Sequence, residues 1–268
     1  YRDYLGMDIT LQAISGVMSV TGEEGGPPLK TAAAFADFIA GTHLYAAIVT
    51  ALFRRETTGQ GAIVDISMQD CVFPTLATTI GSFYAQGKQM PRAGNRHTGN
   101  TLAPYNTYVA SDGYIAIICI REGHFKKLCQ AMDRPELAED PRFHNFAARC
   151  QNVTELDAEI TRWSAPKSRQ TLLALTQAHG VICAPVNHLS EVVTDPHMTA
   201  RGSLHQRPHE TLGMIAQMQT PLRLSGDTPP ALTSPAALGA DSSEVLHELL
   251  GLSQADMATL VEQGAIAL

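Results

Sequence analysis

The chain is poor in charge. Only 17% of its 268 residues are Asp, Glu, Lys or Arg, and 19 basic side chains face 26 acidic ones, a formal net charge of -7. Without a basic excess, the electrostatic footprint of a DNA- or RNA-binding protein is missing, and any anionic ligand has to be held by a local site. Cysteine is sparse too. Cys71, Cys119, Cys129, Cys150 and Cys183 lie far apart with no CxxC pair, which reads as reduced thiols of a cytoplasmic protein rather than a disulfide framework. Tyr1 to Met7 has no basic segment leading into an apolar run, so no secretory signal is expected there. There is no internal repeat.

The common catalytic signatures are equally scarce. Ser67, in ISMQD, lacks the GxSxG elbow of a hydrolase. His205 and His209 are four apart, but Pro208 between them argues against a helical pair of metal ligands, and no metal is expected. Gly59-Gln-Gly61 lies before an expected strand rather than after one, the wrong place for a dinucleotide fingerprint.

What the chain does have is apolar. Hydrophobic residues make up 44%, enough for a sizeable core in one large or two modest domains. Ala32 to Phe53 is a 22-residue stretch whose only formal charge is Asp37. Its length matches a bilayer span. Against that, an Asp costs about 2.5–3.5 kcal/mol on insertion scales at a helix centre, and no second span is present. A buried helix of a soluble domain is expected.

Patterning places the other elements. Asp8 to Val20 has helical spacing, AIVDISMQD alternates like a strand over 63–68, and Cys71 to Gln86 is helical. Lys88 to Asn106 is a long Pro-, Gly- and Asn-rich loop, of the kind that tends to be functional. A hairpin follows, turning at Ser111-Asp-Gly113. Amphipathic helices are expected at 124–132, 152–163 and 170–179, with a short extended segment at 182–186. An irregular connection with short strands near 212–215 and 218–224 leads to two capped helices stopped by Gly251 and Gly264.

Asp37 carries the most chemical interest, because a carboxylate inside AFADFIA needs a reason to be there. Two readings stay open: an N-cap for a helix starting at Phe38, or a functional carboxylate at a helix N-terminus. A desolvated carboxylate is a competent nucleophile toward an activated acyl group.

The motifs LGMDITLQAISG (5–16), VTG (20–22), Pro27-Pro28, AFAD (34–37), Ala40-Gly41, Arg55-Glu56, TGQG (58–61), VDISMQD (64–70), Ala103-Pro104, SDG (111–113) and Asp195-Pro196 run in order through the chain. Their ordered set resembles the class III coenzyme A transferases, which include formyl-CoA and carnitine CoA-transferases and the related α-methylacyl-CoA racemase. The resemblance implies an α/β fold with a partial Rossmann-like large domain, a small α+β domain and an interlocked homodimer. Residues 1–90 would belong to the CoA-binding large domain, 91–196 would form the small domain, and 197–268 would be an extended connector with C-terminal helices returning to the large domain. Family members carry a further N-terminal segment, so Tyr1 is expected to fall partway into the family fold.

The resemblance also implies roles. Asp37 falls on the catalytic aspartate, which attacks acyl-CoA to give an aspartyl anhydride and then an aspartyl-CoA thioester. Leu5, Met7 and Met68 fall near the bound CoA; core packing explains Met68 as well. Gly94, Asn95, Arg96 and His97 belong to a loop over the active site, where Arg96 or His97 would meet an acceptor carboxylate. Formyl-CoA transferase has a glycine run there, whereas this chain has GNRHTGN, so formate or oxalate specificity is not implied. Asp8 matches an acidic position that orients the site, and a surface helix cap explains it equally. The expected ligands are an acyl-CoA thioester and a carboxylic acid, with no permanently bound cofactor and no nucleic acid or membrane partner. A racemase would need a histidine at Met7, and methionine cannot do acid–base chemistry. A racemase or lyase of the same superfamily and a non-catalytic binding remnant are the alternatives.

Overall fold

The computed structural model describes all residues except 2, 210, 227–231, 234 and 267–268, so part of the expected connector lies outside the described residues. The chain divides into two units, Tyr1–Val186 and Asn187–Leu268.

The amphipathic stretch at 8–20 forms two helices, α1 (Asp8–Ile14) and α2 (Val17–Val20). The break falls at Gly16, whose φ of 91° is a conformation side-chain-bearing residues rarely adopt. The long apolar stretch forms α3 (Phe35–Thr58), closed by Gly59 in the left-handed conformation. α4 (Met68–Val72) opens with Ser67, whose hydroxyl accepts the Asp70 N–H. A 3-10 turn, Phe73–Leu76, joins it to α5 (Ala77–Gln86) at the point where Pro74 cannot supply a helical N–H.

Two expectations change here. The strand expected over 63–68 is absent among the described residues, because no neighbouring strand there offers it a ladder. Its alternation survives as burial, with Val64, Ile66 and Met68 half-buried and Ile63, Asp65 and Ser67 exposed. The helix expected to be buried is not: only Ala36 and Ala40 of α3 are buried, while Phe38 and Phe53 are 72% and 74% exposed. α1 and α4 pack against α3, and among the described residues nothing comparable covers its apolar remainder. By length and hydropathy α3 also meets the requirement for a membrane-crossing helix, with 11% of its apolar window buried.

After the loop come β1 (Tyr105–Ala110), β2 (Gly113–Ile118), α6 (Glu122–Ala131), α7 (Phe146–Gln151), α8 (Val153–Ser164), α9 (Arg169–Ala178) and β3 (Ile182–Pro185). The strands form an antiparallel sheet in the order β1-β2-β3, with Tyr108 opposite Ile115 and Ile117 opposite Cys183. Period-two alternation sends Tyr108, Ala110, Ile115 and Ile117 to one face. There they join Phe125, Leu128, Leu156, Ile160 and Leu172 from the helices in the main core. A separate small cluster of Val17, Ala36 and Val72, flanked by Leu11, Phe35, Met68 and Leu76, holds the N-terminal helices together.

The second unit has α10 (Leu189–Val192), α11 (Pro196–Ala200), a hairpin of β4 (Leu204–His209) and β5 (Gly213–Met218), and then α12 (Ser242–Leu250) and α13 (Gln254–Glu262). β5 overlaps the strand expected at 212–215, no strand forms over 219–224, and β4 lies where none was expected. β4 pairs on one side only, which tolerates Pro208 within the strand. Both sheets among the described residues are antiparallel.

Candidate active site

Asp37 is not an N-cap. The helix begins two residues earlier, at Phe35 with Ala34 in the capping position, so Asp37 is the third helical residue, in the first turn. This is where backbone N–H groups lack intrahelical acceptors and where negative charge is favoured. One of those donors is satisfied from another helix: Asp8 Oδ1 accepts the Ala36 N–H at 2.8 Å. The other Asp8 oxygen accepts from Gln12 Nε2 at 2.7 Å, and Gln12 Oε1 accepts the Thr31 N–H at 3.0 Å. Gln12 is fully buried. Asp8 therefore both orients the helix start and serves as a cap, but for α3 rather than for a surface helix of its own. The Asp37 carboxylate is exposed, and no hydrogen bond or ion pair engages it among the described residues.

Leu5 and Met68 come together. They line a cavity of about 320 Å³ with Tyr1, Tyr4, Leu11 and Ile14, the two tyrosine rings stacking at 4.7 Å between centroids. Met68 also packs on the Val17–Ala36–Val72 cluster, which is the core-packing reading of this residue. Met7 does not line this cavity and is mostly exposed.

The Gly94–His97 loop is stitched down on several sides. Gly94 donates its N–H to Gly22 O at 2.9 Å, and its φ of 59° presents the bare Cα face to the Glu23 carboxylate, 2.7 Å from where a Cβ would sit. Asn95 Nδ2 donates to Thr107 Oγ1 at 2.9 Å. His97 Nδ1 lies 2.7 Å from Thr101 Oγ1, its ring edge-on to Tyr105. Arg96 is committed to a carboxylate already: its Nε and Nη2 lie 2.9 and 2.8 Å from Asp157 Oδ2.

Asp157 is the residue that pattern reading missed. It is buried on the apolar face of α8, between Val153, Leu156 and Ile160, and also accepts from Asn106 Nδ2 at 2.9 Å and from the Tyr108 hydroxyl at 2.7 Å. Burial, then the Asp157 charge, pushes the Tyr108 hydroxyl well above its ordinary value, so it remains a donor. The available signal was an acid at i+4 from Val153 and i−3 from Ile160, on the stripe meant for the core.

Arg96, Asn95, Asn106 and Thr107 line two cavities at once. One, of about 570 Å³, lies over the outer face of the sheet against Tyr105, Ala116, Ile118 and Ala184. The other, of about 420 Å³, is polar and bounded by Glu23, Glu24, Arg92 and Asn100. No hydrogen bond or ion pair among the described residues joins the loop to Asp37. No group of three or more His, Cys, Asp and Glu side chains among the described residues is placed to hold a metal.

The sequence profile of CoA-transferase family III matches residues 1–242. A formyl-CoA:oxalate CoA-transferase of Streptomyces avermitilis is 33% identical over 99% of this chain and 68% of its own length. A succinyl-CoA:mesaconate CoA-transferase of Haloarcula hispanica is 35% identical over 74% of this chain and 48% of its own length. Among solved structures, a CAIB/BAIF family protein from Brucella suis superposes with a TM-score of 0.77 at 33% identity, covering 93% of this chain and 64% of that one. The chain thus spans from about half to about two thirds of the length of these relatives. The ordered motifs, the helix that presents Asp37 and the match over most of its length place the chain in CoA-transferase family III.

Proposed function

We propose that the protein carrying this chain moves coenzyme A from an acyl-CoA thioester to a carboxylic acid, with Asp37 as the nucleophile. The observation that carries the reading is the placement of Asp37, an exposed and unpaired carboxylate in the first turn of α3, beside an N–H that Asp8 caps. An unpaired carboxylate is free to attack, and a free acid is too poor an electrophile to accept CoA directly.

The chemistry then runs in balanced steps. An Asp37 oxygen attacks the thioester carbonyl, the C–S bond breaks and CoA leaves as thiolate, forming a mixed anhydride. The thiolate attacks the Asp37 carbonyl of that anhydride, releasing the donor acid and leaving an aspartyl-CoA thioester. The acceptor carboxylate attacks this thioester to give a second anhydride, and returning thiolate attacks its acyl carbonyl, producing the new acyl-CoA and regenerating Asp37. Each step conserves the activation of the original thioester. Leu5 and Met68 offer an apolar wall to CoA, and the Gly94–His97 loop is read as the acceptor side. Arg96 serves there by holding the loop through Asp157 rather than by binding the acid itself. Residues 1–90 and 91–196 are taken as parts of the large and small domains of an interlocked cytoplasmic homodimer, with the Rossmann-like half supplied by the whole protein.

The test is a panel of succinyl-CoA, acetyl-CoA and several mono- and dicarboxylates with the whole protein, combined with mass-spectrometric trapping of an Asp37 adduct. Asp37→Asn should abolish both turnover and adduct; normal turnover in that variant would sink the reading.

A further inference from the structure

One strand in this acidic chain has a basic inner face. β4 reads Leu-His-Gln-Arg-Pro-His, and period-two alternation puts His205, Arg207 and His209 on one side, the side the structure leaves half-buried. His205 and His209 belong to no metal-ligating group of three among the described residues. Around His205 and Arg207 the fold instead gathers arginines. Arg201, Arg207 and Arg223 line a cavity of about 270 Å³ with His205, Gly202, Gln219 and Leu232, and none of these lining residues is acidic.

The arrangement is built, not incidental crowding of long side chains. α11 ends at Ala200 with Arg201 as its C-cap, and Gly202, with a φ of 58°, turns the chain so that His205 Nε2 lies 3.1 Å from Gly202 O. Arg223 Nη2 donates to Arg201 O at 3.0 Å, and its Nη1 donates to Leu222 O at 3.0 Å and to Thr220 O. These carbonyls fix the Arg223 guanidinium in place without neutralising it. Neither Arg201 nor Arg207 is engaged in an ion pair among the described residues. Three like charges around one small cavity repel one another, and a chain with only 19 basic residues concentrates three here. An anion offering several acceptor oxygens relieves that repulsion and matches the guanidinium donors.

We propose that this cavity of the second unit is a phosphate-binding site, with Arg207 and Arg201 as the guanidinium donors, Arg223 as a prepositioned third charge and His205 at the rim. The site stands independently of the role given to Asp37. Its phosphate comes either from the nucleotide of a CoA thioester or from free phosphate.

The test is calorimetric titration of the whole protein with sodium pyrophosphate in a buffer free of phosphate and sulfate. The expected result is one saturable site per chain, weakened at least tenfold in Arg207→Gln and in Arg201→Gln, unchanged in Asp37→Asn, and weakened as salt rises. Circular dichroism checks that each variant folds, and His205→Gln, expected to weaken binding less, serves where an arginine variant does not. Displacement of pyrophosphate by CoA but not by pantetheine identifies the nucleotide as the source; undisturbed binding identifies free phosphate. Absence of saturable binding, or equal affinity in the wild type and in every folded variant, overturns the proposal.

Discussion

Asp8 caps the helix that carries Asp37, its Oδ1 accepting the Ala36 N–H at 2.8 Å while its Oδ2 accepts from buried Gln12. Asp8→Ala removes the cap and leaves Gln12 Nε2 without its acceptor. A loss of about 1–2 kcal/mol is expected in urea unfolding. Under the role proposed for Asp37, kcat should fall while KM for the acyl donor holds, since Asp8 touches the start of α3 and does not line the Leu5–Met68 cavity proposed for CoA. Asp8→Asn should recover part of the stability, because an Asn oxygen can cap but its amide would face the Gln12 amide. A fall in KM affinity with kcat intact would contradict the positioning role.

Asp157 holds Arg96, Asn106 and Tyr108 together. Asp157→Ala strands a buried hydroxyl and a partly buried guanidinium, and should cost about 2–4 kcal/mol. Tyr108→Phe removes a single donor and should cost about 1 kcal/mol. Hydrogen exchange is expected to accelerate across 94–100 in the Asp157 variant and to stay unchanged there in the Tyr108 variant. Equal exchange in both would separate the loop from the carboxylate.

The ion pair of Glu122 and Arg149 should make stability depend on acid. Arg149 is wholly buried: its Nη1 lies 2.7 Å from Glu122 Oε2, its Nε donates to Ala103 O, and its guanidinium stacks 4.6 Å from the Phe125 ring centroid. The Arg149 hydrogen bond holds the Glu122 carboxyl below its ordinary value of 4.5. A depressed folded value means the contribution is fully present above the unfolded pKa and is lost as pH falls through the folded one. Glu122→Gln should therefore be less stable than the wild type at pH 7, and the gap should narrow as pH falls below 4.5 and through the lower folded value. Urea midpoints across this range check this.

All five cysteines are free, and Cys119 and Cys129 are buried. Burial pushes both thiols up to about 12. The thiolate is the reactive form, so a thiol-alkylating reagent at mildly alkaline pH should leave these two unlabelled in the native chain and modify both after denaturation. Peptide mass spectrometry reads the outcome; native labelling of either would contradict the packing of the small sheet.

Much of the fold was legible because it rests on local pattern. The hairpin turning at Ser111–Gly113, the helices α6, α8 and α9, the stop of α12 at Gly251 and the Ser253 cap of α13 follow from alternation, amphipathic spacing and turn chemistry, whereas Asp241 makes no side-chain cap at the start of α12. The strand at 63–68 did not, since a strand exists only where another strand completes its ladder, and alternation alone cannot say whether one is there. β4 was missed because this stretch of the chain reads as an irregular connection, and Pro208 is accommodated in a strand that pairs on one side only.

The site divides the same way. Sequence by itself determined that an acid lies in an apolar frame at position 37, that its motifs resemble those of CoA-transferases, and that 94–100 is a loop rich in polar side chains. Tertiary structure alone decided that Asp37 belongs to the first turn of its helix rather than to its cap, that Asp8 supplies a cap from 28 positions away in the chain, and that Arg96 answers to Asp157. Helix propensity and spacing act over a few residues. A hydrogen bond between side chains distant in sequence depends on how whole helices pack, and packing is set by the combined apolar faces of all of them.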